Sequence, residues 1–133
     1  MAGPNWGAHH LPRVGSEVLV SFIEGDIDRP VVSQQLYNGQ DLPPWSAGTD
    51  SSANHAGVLS GWHSRALDGS GYNQWIADDA PGQVRTRLAS SHAASQLNLG
   101  HLNAQSPDES NRGAWRGSGA ELRSDAWVVT RAG

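Results

Sequence analysis

The chain contains no cysteine and no lysine, and only one phenylalanine and one methionine among its 133 residues. Without cysteine there are no disulfides, no thiolate nucleophile and no thiolate metal ligand, although this does not fix a compartment. Without lysine, all nine cations are arginines, scattered from Arg13 to Arg131 with no basic stripe, and the net charge is −4. That distribution argues against a nucleic-acid partner, whose phosphates call for clustered positive charge. Apolar residues make up 37% of the chain, against about 45–50% in ordinary soluble domains counted with glycine. Bulky aliphatics are too few for a generous core in one copy. Identical chains that cover each other's faces can supply the missing surface. Nothing approaches the roughly 18 apolar residues of a membrane span, so no stable membrane anchor is expected. The opening "MAGPNWGAHHLP" lacks both the basic segment and the apolar core of a signal peptide.

Glycine (16), proline (7) and tryptophan (6) are plentiful, and the local patterns are those of strands and turns. In "EVLVSFIE", residues 17–24, Val18, Val20 and Phe22 share one face while Leu19 and Ile23 share the other. Such a strand is expected to be covered in part on both sides, as in a small barrel or packed sheet. "PVVSQQLYN" reads as its partner. "GDIDR" between them has the length and residues of a hairpin loop: Gly25 tolerates positive φ, and Pro30 pushes Arg29 to an extended conformation. "YNGQDLPPW" then breaks the sheet. Residues 46–71 are polar and glycine-rich and read as a connector with one brief strand near Val58 and Leu59. Further strands are expected around Gln74–Ile76 and over "QVRTRLA", where Val84, Thr86 and Leu88 share a face, with "DDAPG" as the turn between them. Leu97 and Leu99 alternate with polar neighbours and favour a strand. "NAQSPDESNRGAWRGSG" reads as a polar loop holding Trp115, and residues 120–133 read as a closing strand.

Chemistry-bearing residues are present without a catalytic pattern. Glu24, Asp26 and Asp28 alternate, but the glycine precedes the aspartates and Arg29 and Pro30 follow, which is not a calcium-loop order. They are read as a structural hairpin motif comprising Glu24, Gly25, Asp26, Asp28, Arg29 and Pro30. His9 and His10 are adjacent and would point to opposite faces of a strand. His55, His63, His92 and His101 follow no zinc spacing. No serine sits in a G-x-S-x-G elbow, and the glycine-rich pieces "DGSGYN" and "RGSGAEL" are not phosphate loops. Asp78 and Asp79 read as turn formers. No enzyme, no cofactor and no metal site is expected. Trp62, Trp75, Trp115 and Trp127 are read as core or interface anchors. The alternative is a carbohydrate- or peptidoglycan-binding β-module that stacks sugars on Trp62, Trp75 or Trp115.

The stretch "NWGAHHLPRVGSEVLVSFIEGDIDRPVVSQQLYNG" resembles the valine-glycine repeat (VgrG) family of type VI secretion systems. The family block W-G-A-x-x-x-P-R-x-G-x-E-V-x-V-x-F-x-x-G-D-x-D-R-P is matched from Trp6 to Pro30, with Tyr37, Asn38, Gly39, Pro43 and Pro44 following in the family's order. "GYNQWIADDAPGQVRTRLASSHAASQLNLGHL" and "RGSGAELRSDAWVVTRAG" are similar to the family's segment after that block. The resemblance implies an all-β chain: part of an OB-type barrel, then an extended β segment leading to a trimeric β-helical needle. It implies a division into 1–45 (end of the barrel), 46–71 (connector) and 72–133 (the segment before the needle). It also implies a homotrimer in the puncturing spike at the tip of a contractile-tail-like apparatus, with the secretion tube protein, a tip cap protein and effectors as partners. Assembly would be cytoplasmic, followed by export through the apparatus without a signal peptide. Family members carry a base and the first barrel strands ahead of this stretch, so the sequence is expected to be an excised piece or a truncated gene.

Overall fold

A computed structural model describes residues 2–45, 58–105 and 112–132. The chain divides into two compact units, Met1–Pro43 and Pro44–Gly133. Every regular element among the described residues is a strand or a single 3-10 turn, so the molecule is all-β. No helix of the described residues is long and apolar enough to cross a membrane.

In the first unit, the short strands β1 (Ala2–Gly3) and β2 (Trp6–Gly7) pair antiparallel. β3 (Val18–Phe22) and β4 (Pro30–Gln35) form the hairpin, with Val20 opposite Val32 and Phe22 opposite Pro30. A bulge between Leu19 and Val20 shifts the register. The hairpin has no covering layer among the described residues of this unit, and Val20, Phe22, Val31 and Val32 are each at least 41% exposed. Apolar residues on both faces of an uncovered hairpin are the signature of strands made for a closed sheet.

The second unit is a five-stranded antiparallel meander: β5 (Leu59–Arg65), β6 (Tyr72–Asp78), β7 (Arg85–Ser90), β8 (Ser95–Asn103) and β9 (Trp115–Arg123), neighbours in space as in sequence. The first two connections use local chemistry. Asp68 accepts from the Ser70 amide at 2.9 Å in the β5–β6 turn, and Gly82 takes φ 72° in the β6–β7 turn. Within the sheet, Gly61 and Gly100 have φ of 144° and 97°, and a Cβ at either would overlap the carbonyl of Trp75 or Val84 across the ladder. There the strands approach through bare backbone.

The last strand differs from the sequence expectation. Trp115 does not lie in a loop but opens β9, which runs to Arg123; residues 124–132 form no strand. The loop expected over 103–119 ends in strand instead: in β9, Gly117 and Gly119 lie opposite Leu102 and Gly100 in the β8 ladder. Asp78 ends β6 and its Oδ1 accepts from the Ala80 amide two residues on, as a turn former does, but its side chain is also fully buried. The expected connector 46–71 falls partly on residues 46–57, outside those described, and its later part holds β5.

The interior of this unit is unusually polar. Among the described residues, Ile76, Ala80 and Ala89 are its buried apolar residues, alongside buried Gln74, Asp78, Arg85, Arg87, Gln96, Asn98 and Asn103. Asp78 is the anchor. Its carboxylate accepts from Arg85 Nε at 3.0 Å, from Arg112 Nε and Nη2 at 3.1 and 2.5 Å, and from the Ala80 amide at 3.1 Å. Arg85 also donates to Gln105, so both ends of the β8–β9 connection are tied back to the β6–β7 edge. Burial alone would raise the Asp78 pKa. The hydrogen bonds from Arg112, Arg85 and Ala80 outweigh it and hold the carboxyl below its ordinary range.

A carboxyl whose pKa is lower folded than unfolded contributes stability above its unfolded value, about 3.9, and loses it as pH falls through the folded value. Asp78→Ala strands two guanidinium groups, one of them buried, and is expected to cost about 3–5 kcal/mol at neutral pH. The variant should also lose part of the acid-induced fall in stability seen below about pH 4. Urea unfolding monitored by circular dichroism at pH 7 and pH 3 measures both effects.

A candidate assembly surface on the five-stranded sheet

Side chains alternate across a strand, and residues paired across a ladder share a face. On the covered face, Gly61, Ile76, Arg87, Asn98 and Glu121 stand in one row across all five strands, and His63, Gln74, Ala89, Gln96 and Arg123 in the next. Many of the polar groups on this face bond to one another. Arg87 Nη2 donates to Gln74 Oε1 at 2.5 Å. Asn98 Nδ2 donates to Glu121 Oε2 at 2.9 Å and to Gln96 Oε1 at 3.1 Å. Arg116 makes two bonds of 2.7 Å to the Glu121 carboxylate. These Arg116 bonds, set against the cost of burial, hold the Glu121 carboxyl below its usual range.

His63 sits at the β5 end of this face. Its ring stacks on Tyr72 with centroids 5.0 Å apart and meets the edge of Trp45 at 6.2 Å. Its Nδ1 lies 3.2 Å from Gln74 Nε2. Because Arg87 can only donate, it takes the Gln74 oxygen, which turns the Gln74 NH2 toward His63 and makes Nδ1 the acceptor. The imidazole is therefore held neutral with its proton on Nε2. Desolvation first, then the charges of Arg65 and Arg87, lower its pKa.

The other face is different in kind. Trp62, Trp75, Leu88, Leu97 and Leu122 form one continuous row, each residue directly opposite the next, and they are 38–64% exposed. Beside it runs a row of Ser60, Ala77, Thr86, Leu99 and Ala120, and on its other side Ser64, Asn73, Ser90 and Ser95. None of these positions carries a charge. The Trp75 indole is tethered by its Nε1 donating to Thr86 Oγ1 at 3.0 Å. An uncharged apolar row spanning a whole sheet is what a buried interface presents, not a solvated surface.

The residues singled out from sequence fall elsewhere. Glu24, Gly25, Asp26, Asp28, Arg29 and Pro30 lie at the tip of the β3–β4 hairpin. There Glu24 adopts φ 56°, Asp26 Oδ1 accepts from the Asp28 amide at 3.0 Å, and an exposed Glu24–Arg29 pair spans 3.2 Å. An exposed pair of this kind contributes little to stability. Among the described residues, no three of His, Asp and Glu gather to hold a metal; His55 lies outside them. His101 lies 6.3 Å from Trp115, ring to ring. Trp127 is 91% exposed beyond β9. The buried Asp78 cluster gave no spacing signal, because its members lie far apart in sequence. The apolar row was visible only as isolated Trp and Leu positions until pairing lined them up.

The chain is thus an all-β protein whose largest sheet packs polar side chains on one face and shows an uncharged apolar row on the other. Residues 65–133 match the family described as "Putative type VI secretion system Rhs element Vgr", and residues 1–37 match the "Type VI secretion system/phage-baseplate injector OB domain". The chain belongs to the type VI secretion Vgr family. Two relatives, the type VI secretion system spike proteins VgrG2a and VgrG2b of Pseudomonas aeruginosa, are each 37% identical over 131 residues. The match covers 98% of this chain but 14% and 12% of theirs. The spike protein VgrG1a of the same organism is 50% identical over 44 residues, 33% of this chain and 7% of the relative. The chain thus spans about one seventh or less of the relatives it matches. No solved structure matches it.

The His63 arrangement sets a direction for pH. A histidine with a lowered folded pKa binds fewer protons folded than unfolded, so stability falls as pH drops through the ordinary histidine value near 6.5. Thermal midpoints should decline between about pH 7.5 and pH 5. His63→Phe, which keeps the ring stack without the proton, should flatten that decline; an unchanged slope would show that another group sets it.

Proposed function

We propose that the chain is a structural, non-enzymatic segment of a type VI secretion spike, and that it works as a homotrimer. The observation that carries this reading is the union of a family match over the five-stranded sheet with an exposed, uncharged apolar face on that same sheet. A spike element is loaded mechanically, and closed, mutually covered sheets serve that role better than a cleft does. The injector-domain match over residues 1–37 supports placing the first segment, taken as 1–45, at the end of an OB-type barrel. Residues 46–71 would then be the connector, and 72–133 the β segment leading toward a needle. By the same relationship the partners are the secretion tube protein, a tip cap protein and effectors. The protein would assemble in the cytoplasm and leave through the apparatus without a signal peptide. Glu24, Gly25, Asp26, Asp28, Arg29 and Pro30 act in this proposal as a structural hairpin tip.

Folding coupled to association makes apparent stability rise with chain concentration. The thermal midpoint of the purified chain is therefore expected to climb over about a hundredfold concentration range. A midpoint that stays constant across that range would contradict the trimer.

A further inference from the structure

We infer that Asn38–Gly39 is a self-modification site that the fold keeps shut. While the open end of the β3–β4 hairpin is closed the Asn38 amide is locked, and once that end opens the amide is lost irreversibly to attack by the Gly39 backbone nitrogen. The site lies within the first unit and owes nothing to how copies associate, so it stands apart from the function proposed above. Asn38 and Gly39 are exposed. Glycine has no side chain to shield its backbone nitrogen, and no atom beyond its chain neighbours lies within 4 Å of where a Cβ of Gly39 would be. Both polar atoms of the Asn38 side chain are engaged. Its Oδ1 accepts from the Gln40 and Asp41 amides at 2.8 and 2.7 Å. Its Nδ2 donates to Glu17 Oε2 at 2.8 Å and, more weakly, to Asp41 Oδ2 at 3.4 Å. A carboxylate only accepts, so this pair fixes which end of the amide faces it. The Asn38 backbone amide donates to Asp41 O at 3.1 Å, and the Leu36 amide donates to Glu17 O at 2.9 Å. Asn38 thus ties the chain that leaves β4 to the residue that leads into β3.

In the attack, the Gly39 nitrogen gives its proton to water or hydroxide and bonds to Asn38 Cγ. The Cγ–Nδ2 bond breaks, and the nitrogen departs as ammonia after taking a proton from solvent, leaving a cyclic succinimide. Water then adds to either ring carbonyl and opens the ring to an aspartate or an isoaspartate at position 38, with no change of oxidation state. Ring closure needs Cγ to swing onto the Gly39 nitrogen and Nδ2 to leave. In the closed hairpin the four side-chain hydrogen bonds of Asn38 oppose that movement. Each is worth little alone at an exposed site, but together they make the reaction wait for local opening. The product does not rebuild the knot. A carboxylate at position 38 has no hydrogen to donate to Glu17 and sets a third negative charge beside Glu17 and Asp41, and isoaspartate also lengthens the backbone. The modification is therefore a one-way record that the hairpin end has opened.

Peptide mass spectrometry, with chromatography that separates isoaspartate, follows position 38 as the full chain ages at mildly alkaline pH. Three samples are compared: the folded chain, the chain in urea, and the Glu17→Ala variant, with circular dichroism to establish that its strands are intact. Conversion is expected to be at least about tenfold slower in the folded chain than in urea. Glu17→Ala should fall between the two, and Gly39→Ala should suppress conversion in urea. Equal rates in the folded chain and in urea would overturn protection by the fold, and no conversion in either would overturn the site. Asn38→Asp supplies the carboxylate directly, keeping the acceptor and losing the donor. In this variant native-state hydrogen exchange should speed up at the Leu36 amide, which bonds Glu17 O, and stay slow at Gln40, whose amide the carboxylate still accepts. Unchanged exchange at Leu36 would overturn the one-way latch.

Discussion

The Asp78 carboxylate, held by two guanidinium groups and a backbone amide inside the sheet, decides which way the whole meander faces. Strand side chains alternate with a period of two, so fixing one residue inward fixes every other residue on its strand and, through the ladder, on the next. With Asp78 inside, Ile76 and Gln74 are inside on β6, and Arg85 and Arg87 are inside on β7. Trp75 and Leu88 are then forced out, and Trp62, Leu97 and Leu122 follow through their pairings. A slip of one residue would place Trp75 and Leu88 inside and expel a buried ion cluster, so the register is doubly specified. The polar interior works less as a source of stability than as a device that orients the sheet. A buried ion pair is a poor stabiliser compared with well-packed hydrocarbon, but an expensive one to misplace.

The two units meet the same shortage in different ways. The β3–β4 hairpin has apolar residues on both faces and nothing over either among the described residues of its own unit; it lies in the stretch that matches the injector OB domain. The five-stranded sheet closes one face with its own polar side chains and the ends of the β8–β9 connection, and its other face keeps an exposed apolar row. In both, the low content of bulky aliphatics leaves apolar surface that the isolated chain does not cover.

Much of the fold was legible in the residues. Val18, Val20 and Phe22 against Leu19 and Ile23 announced a strand, and "GDIDR" followed by proline announced a loop and a second strand. The alternation of Leu97 and Leu99 sufficed to mark β8. Glycine hides β9 in the sequence, because Gly117 and Gly119 weaken strand propensity, yet the strand runs through them at positive φ of 138° and 134°. Asp78 before "APG" is legible as a turn residue, and its Oδ1 does accept from the Ala80 amide; only its partners Arg85 and Arg112, separated from it along the chain, show that it points inward. Family resemblance supplied the link to type VI secretion, which neither composition nor periodicity contained. The uncharged face required both sources, since the residues were in plain view but their alignment into one row depends on register.

Sedimentation equilibrium of the purified chain bears most directly on the claim that this sheet is built to be covered by copies of itself. A mass three times the 14.1 kDa of the chain is the predicted result. A compact, folded particle of one chain mass at every concentration, with the row from Trp62 to Leu122 open to water, would contradict it.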